Sequence, residues 1–195
     1  GSVWEANQEH GTSCHCGAEG GAKGRLEHSN SLDCAMRLNL GCGADPKRDA
    51  TVNLDIRPGP NVDVVHDCET FPWPFPDETF DGIIAWHVFE HLKPWFMVDI
   101  LNECWRVLKP DGLLKIGMPA EGSFGLSQEP THIRTWNEAT PHHFDPDYRY
   151  YKVYRPKPWK ILVNEKFLKT VPPGLVYTDP ATYNASIRII MRKRP

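Results

Sequence analysis

A chain of 195 residues, 40% hydrophobic and 24% charged, is long enough to bury a core as one domain and has the composition of an ordinary soluble globular protein. Its formal charge of −3 argues against a general binder of nucleic acid or membrane surfaces, since such proteins carry a net positive face; the local basic run Arg192, Lys193, Arg194 lies at the C-terminus. No apolar run approaches the roughly 20 residues needed to cross a bilayer, which argues against a membrane protein. No secretory signal is visible, and Gly1-Ser2 reads as a cloning scar. The cysteines Cys14, Cys16, Cys34, Cys42, Cys68 and Cys104 are scattered through a chain that needs no staples, which reads as reduced thiols in a cytoplasmic protein.

Residues 1–35 are rich in Gly, Ser, His and Glu and poor in aliphatic residues, and they read as a flexible or loosely docked extension. Residues 36–195 form the domain. Met36 to Leu40 is a short strand that ends in Gly41-Cys42-Gly43. Thr51 to Ile56 is a second strand closing on Asp55, and Asn61 to His66 a third, followed by Asp67. The alternating prolines Pro72, Pro74 and Pro76 exclude a helix or central strand between Phe71 and Pro76. Phe80 to Ala85 is a fourth strand. Near-continuous apolar strands suggest a sheet covered on both faces.

Lys93 to Leu108 is the clearest helix. Met97, Ile100, Leu101, Cys104 and Leu108 make one apolar stripe, opposite Asp99, Asn102, Glu103 and Arg106. Pro110-Asp111-Gly112 stops it and turns the chain into a fifth strand, Leu113 to Met118. Residues 119–150 are an irregular insertion rich in His, Pro and aromatic residues. Trp159 to Val163 and Ser186 to Met191 read as two late strands, separated by the turn region Pro172-Pro173-Gly174. Strands alternating with crossovers predict an α/β fold with a mainly parallel sheet, and ligands in such sheets sit beyond the carboxyl ends of the strands. The glycine loop and both acids lie at those ends.

Glycines after a strand let the backbone approach a ligand and take unusual dihedrals. The dinucleotide fingerprint requires a third glycine where Pro46 stands, and an acid roughly twenty residues on, whereas Asp55 follows Gly43 by only twelve; NAD and FAD are therefore disfavoured. A carboxylate at the end of the second strand suits both hydroxyls of a ribose, and an acid beyond the third suits an adenine amino group. Taken singly, each acid equally fits a solvated turn or a helix cap.

The strings Leu38-Asn39-Leu40-Gly41-Cys42-Gly43, Val52-Asn53-Leu54-Asp55 and Val65-His66-Asp67 resemble the first three motifs of class I S-adenosylmethionine-dependent methyltransferases. Phe75 to Asp81 and His87-Val88-Phe89-Glu90-His91-Leu92 are similar to their fourth-strand region, and Arg106 to Gly112 to the turn into strand five. The resemblance is closest to the small-molecule, type 11-like branch and covers roughly residues 36–118. It implies a Rossmann-like, doubly wound sheet of seven strands, mainly parallel with the last antiparallel. It implies S-adenosyl-L-methionine as cofactor, in-line methyl transfer, and a small-molecule acceptor. It places the cofactor against Gly41, Cys42 and Gly43, the ribose at Asp55 and Ile56, the adenine at Asp67 and Cys68, and the methyl group near Trp86 and His87. The family often has an acid where Asn39 stands, so one polar contact to the methionine part is altered. Only Ala44 to Thr51 link the loop to strand two, where a parallel crossover usually takes about a dozen residues or more, so the first helix is reduced or absent. The N-terminal extension is then expected over the side that helix would cover.

Several histidines carry competing readings. His87-x-x-Glu90-His91 matches an inverted zinc-peptidase string, and a zinc hydrolase is the rival it suggests. A non-catalytic binder of S-adenosylmethionine is another. Cys14-His15-Cys16 with His28 and Cys34 offers metal ligands, although Cys-x-Cys is tight for structural zinc. In the insertion, His132 is a candidate base for the acceptor, with His87, because loops beyond the carboxyl ends line that pocket; His142 and His143 read as surface residues. Trp136, Phe144, Tyr148 and Tyr150 fit either an apolar lining or the core.

Overall fold

A computed structural model describes residues 35–44, 51–168 and 185–195. The N-terminal extension with Cys14, Cys16, His28 and Cys34, most of the link between the first two strands, and Pro172-Pro173-Gly174 lie outside the described residues.

Seven strands form one sheet: β1 Arg37–Leu40, β2 Thr51–Asp55, β3 Val64–Val65, β4 Phe80–Trp86, β5 Leu108–Pro119, β6 Trp159–Leu168 and β7 Ala185–Lys193, in the order β3-β2-β1-β4-β5-β7-β6. β1 is parallel to β2 and β4, β2 to β3, and β4 to β5; β7 runs antiparallel to both β5 and β6. The strand order therefore reverses between β1 and β4, the place where an open α/β sheet leaves a crevice. The short link does not prevent β1 and β2 from pairing in parallel.

Side-chain alternation divides the sheet into unlike faces. Leu38 and Leu40 on β1, Ile83 and Ala85 on β4, Leu114, Ile116 and Met118 on β5, and Ile187, Ile189 and Met191 on β7 lie side by side in register and are all buried. Their neighbours Arg37, Lys115 and Arg192 are exposed, and Ile84, Leu113, Arg188 and Ile190 half-buried. The two faces expected to be covered are covered unevenly: the apolar runs bury one face fully and the other in part.

Helix α1, Met97–Val107, carries β4 over to β5 and adds Met97, Ile100, Leu101, Cys104 and Val107 to the dry core. The helix is shorter than its periodicity predicts at both ends. Pro94–Phe96 form a separate 3-10 turn, and Leu108 leaves helical dihedrals at once (ψ 139°) to open β5. Pro110-Asp111-Gly112 is a bulge within β5: Phe80 pairs with Leu108 and Gly82 with Leu113, while Asp111 takes a φ of 61°.

The third strand is also shorter than expected. Asn53 donates its backbone N–H to the Asp63 carboxylate (2.9 Å) and its side-chain amide to the Asn61 carbonyl (2.8 Å), while the Asp63 N–H returns to the Asn53 carbonyl (2.9 Å), so side-chain bonds take the place of part of the ladder before Val64. The late strands are longer than their apolar runs, since β6 and β7 pair along their whole lengths. Within the insertion, α2 Phe124–Ser127 and a 3-10 turn at Thr140–Phe144 are the regular pieces, and α3 Tyr151–Tyr154 follows. Trp136 and Phe144 are core residues, stacked at 6.2 Å, whereas Tyr150 is exposed. The C-terminal basic run is not a surface cluster: the Lys193 ammonium is buried, donates to the Leu108 carbonyl (2.7 Å), and sits 4.0 Å from the centre of the Trp105 ring.

Candidate active site

The glycine loop turns because Gly41 and Gly43 both adopt positive φ, 64° and 57°. At Gly41 a side chain is also excluded by space, since a Cβ would lie 2.4 Å from Val88 Cγ2. The Cys42 N–H donates to the Leu54 carbonyl (3.0 Å), and the Gly43 N–H donates to the Asp55 carboxylate (2.8 Å). The second Asp55 oxygen accepts from the Arg57 N–H at 2.9 Å. Asp55 thus ties the tip of β2 to the glycine loop and keeps lone pairs on both oxygens for further donors.

Around this loop runs a cleft of about 770 Å³. Asn39, Gly41, Cys42, Gly43, Asp55, Ile56, Asp67, Cys68, Trp86 and His87, the residues expected from the sequence, all line it. Asn39 is held by a side-chain bond to Asn53 (3.1 Å). Asp67 accepts the Glu69 N–H (2.9 Å) in a turn that fixes the third tip. Burial, reinforced by Asp67 and Glu69, pushes the Cys68 thiol up to about 12, so it stays a neutral thiol on the wall beside that acid.

Two contributors had no clear motif. Gly117 on β5 faces Trp86 across the sheet, and a Cβ there would lie 1.8 Å from the indole; the glycine is the notch that seats Trp86. Its neighbours Ile116 and Met118 hide it in an apolar strand, although a glycine within such a strand signals close approach. Lys93 pairs with Glu69 through both its backbone N–H and its ammonium, closing the far rim. That contact joins residues too distant in sequence to suggest it.

His87 stands just past β4 with a φ of 57°, a left-handed conformation that costs on the order of 1 kcal/mol for a non-glycine residue. Two bonds hold it there: its N–H donates to the Gly117 carbonyl (2.8 Å), and Nδ1 lies 2.8 Å from Glu90 Oε1. Glu90 is fully buried. A carboxylate only accepts, so Nδ1 carries the proton and Nε2 is the accepting nitrogen. The zinc-peptidase geometry is not formed: His87 is bonded to Glu90, and only residues 89–91 make a 3-10 turn, so no α-helix carries the two histidines four apart.

A neighbouring cleft of about 450 Å³ shares His87, His91 and Thr131 with the first and adds His132, Gln128 and Glu129. His132 is therefore on the adjoining wall and does not line the first cleft itself. The insertion is brought here by backbone bonds, as the Ile133 and Arg134 N–H groups both donate to the Glu90 carbonyl (3.0 and 3.1 Å). His142 and His143 line neither cleft; they pack against Tyr148, and His143 stacks on Tyr150.

A crevice at the reversal of strand order, lined by the glycine loop and two acids, defines a Rossmann-like domain. A family profile described as a methyltransferase domain matches residues 38–116 of the chain. A probable S-adenosylmethionine-dependent methyltransferase of Mycolicibacterium smegmatis is 32% identical over 137 residues, covering 59% of this chain and 51% of the relative, so the chain spans about half that protein's length. Among solved structures, a SAM-dependent methyltransferase from Archaeoglobus fulgidus has the same fold (TM-score 0.56, 19% identity, 83% of this chain and 87% of that one). So does the Burkholderia thailandensis 1,6-didemethyltoxoflavin-N1-methyltransferase with bound 1,6-didemethyltoxoflavin and S-adenosylhomocysteine (TM-score 0.56, 16% identity, 83% and 72%).

Proposed function

We propose that this protein transfers a methyl group from S-adenosyl-L-methionine to a small-molecule acceptor. The observation that carries the reading is the cleft at the strand tips, where a side-chain-free loop and the carboxylates Asp55 and Asp67 converge. A nucleoside fits this donor set: Asp55 offers acceptors to ribose hydroxyls, Asp67 to an amino group, and Ile56 and the neutral Cys68 an apolar surface. When bound, S-adenosylmethionine supplies an already activated methyl on a positively charged sulfur.

The chain's own task is then alignment and exclusion of water. Trp86, held in the Gly117 notch, lines the first cleft, and His87 stands on the border between the two. His87 is the proton acceptor where the attacking group must lose a proton; Glu90 fixes the tautomer that leaves Nε2 to accept it. His132, across the second cleft, belongs to the acceptor side. The size of that cleft suits a small molecule. Cys68 and Cys104 are free thiols, which suits a reducing cytoplasm.

Asp55→Ala tests the reading. It removes the ribose acceptor together with the anchor of Gly43, and should weaken S-adenosylmethionine binding by roughly 100-fold, the value of about two charge-assisted hydrogen bonds. Calorimetry on both proteins measures it, and unchanged affinity would overturn the assignment. Cofactor bound tightly, with no turnover against a broad panel of hydroxyl, amine and thiol acceptors, would favour a binding protein over an enzyme.

A further inference from the structure

Glu90, His91 and His132 come together although they derive from a 3-10 turn and a loop some forty residues downstream. One nitrogen of each imidazole and a carboxylate oxygen lie within 4.8 Å of one another. From this cluster we infer a binding site for a divalent transition-metal ion, with Glu90, His91 and His132 as its ligands and an open side facing the acceptor cleft.

The hydrogen bonds around the cluster already place protons where a metal site needs them. His132 Nδ1 lies 3.0 Å from the Leu126 carbonyl, which can only accept, so that nitrogen carries the proton and Nε2 holds the lone pair. His91 Nδ1 lies 3.0 Å from Thr131 Oγ1 and 3.3 Å from the Thr131 carbonyl. The Thr131 hydroxyl spends its own proton on Glu129, so both Thr131 oxygens accept from His91, and its Nε2 is likewise the basic nitrogen. Metal-binding histidines are typically oriented in this way, by a carbonyl or other acceptor on the second ring nitrogen.

The carboxylate supplies an independent observation. Glu90 is fully buried; Oε1 is engaged by His87, while Oε2 is buried with no hydrogen-bond partner. A buried carboxylate oxygen left unpaired is costly, and a bound cation would satisfy it. His132 Nε2 lies 3.9 Å from Glu90 Oε1, too far for a hydrogen bond. It is close to the roughly 3.4 Å between two donors about 2.1 Å from a tetrahedral ion. Two imidazoles and one carboxylate favour zinc, cobalt or iron over magnesium or calcium, and three protein ligands leave a coordination position for a hydroxyl or thiol of the acceptor. His87 keeps its bond to Oε1 and its own role, whereas His132 acts as a ligand and not as a base.

Metal-stripped full-length protein titrated with Co²⁺ tests the site, read by the visible absorption of tetrahedral cobalt and by metal content. Wild type should take up one equivalent that His132→Ala and His91→Ala each lose, or bind more than about 100-fold more weakly. His91 is exposed, so its variant guards against a folding defect at His132, and melting curves check both. A Cys14→Ser/Cys16→Ser variant should retain this equivalent, separating it from thiolate binding in the N-terminal segment. If wild type takes up no ion, or both histidine variants match it in stoichiometry and affinity, the site does not exist. The readout needs no S-adenosylmethionine, so its failure leaves the methyltransferase reading standing, and the reverse holds.

Discussion

The loop after β1 and the loop after β5 leave the same end of the sheet, yet they are built by opposite means. The first is a handful of residues held by its own backbone: Gly41 and Gly43 turn it, and Asp55 on the adjacent strand fastens it. The second, residues 119–150, is long and draws its placement from a distant partner, the Glu90 carbonyl that receives Ile133 and Arg134. A surface that must grip one constant ligand can be local and rigid. A surface that meets a variable partner can hang from a few long-range bonds, so its contents can change without disturbing the grip. In the proposed function the first loop belongs to the cofactor and the second to the methyl acceptor.

Substitutions that touch one wall and spare the other sharpen this contrast. Gly41→Ala combines a strained left-handed φ with overlap on Val88, and should lower affinity for S-adenosylmethionine roughly 100-fold. Gly43→Ala meets the same backbone strain but nothing within 4 Å, and should cost only about 10-fold. Equal losses in calorimetric titrations would mean that space at Val88 is irrelevant.

On the acceptor side, Ile133→Pro deletes one of the two bonds to Glu90 at a position whose side chain is exposed. Amide exchange across residues 130–135 should then accelerate about 10-fold, the equivalent of one backbone hydrogen bond, while cofactor affinity stays within about twofold. Loss of cofactor binding in this variant would show that the two walls are mechanically one.

The smallest effect separates both walls from the scaffold beneath them. Glu103 on α1 accepts the Trp73 N–H and two bonds from Arg106, which also reaches the Phe75 carbonyl and Asp77, so one helix face staples the proline-rich segment. Burial works against the charge on Glu103, but these donors outweigh it and hold its carboxyl below the ordinary value of 4.5. The stabilisation is therefore complete above pH 4.5 and fades as acid protonates the folded protein. Arg106→Ala should flatten the acid limb of a stability-against-pH curve; an identical slope would exclude Glu103 as its source.

The sequence foretold much of this architecture because its signals were local. Apolar stripes at Met97, Ile100, Leu101 and Cys104, and alternation or runs in β1, β4 and β5, each reflect the period of one element. Likewise the places of Asp55 and Asp67 on the cleft follow directly from strands whose ends can be counted. Where the reading stopped short, the cause lay in contacts across the chain. The Asp63 carboxylate takes the Asn53 N–H just ahead of the two-residue β3, the Gly117 notch depends on a cross-strand neighbour, and the partnership of Glu90 with His132 exists only after the insertion folds back. A string such as His87-x-x-Glu90-His91 suggested ligands through helical spacing; the folded chain keeps two of those residues together but replaces the third from another loop.

The position of β7 between β5 and β6 has a consequence for the birth of the molecule. Ribosomes deliver β6 before β7, but β6 has no place on the sheet until β7 has slid in beside β5. Throughout that interval the nascent chain presents Leu114, Ile116 and Met118 on an unpaired margin, the kind of surface on which newly made proteins stick to one another. The final strand is thus the zipper's slider, and its buried Lys193, landing on the Leu108 carbonyl where α1 gives way to β5, is the tab that locks it.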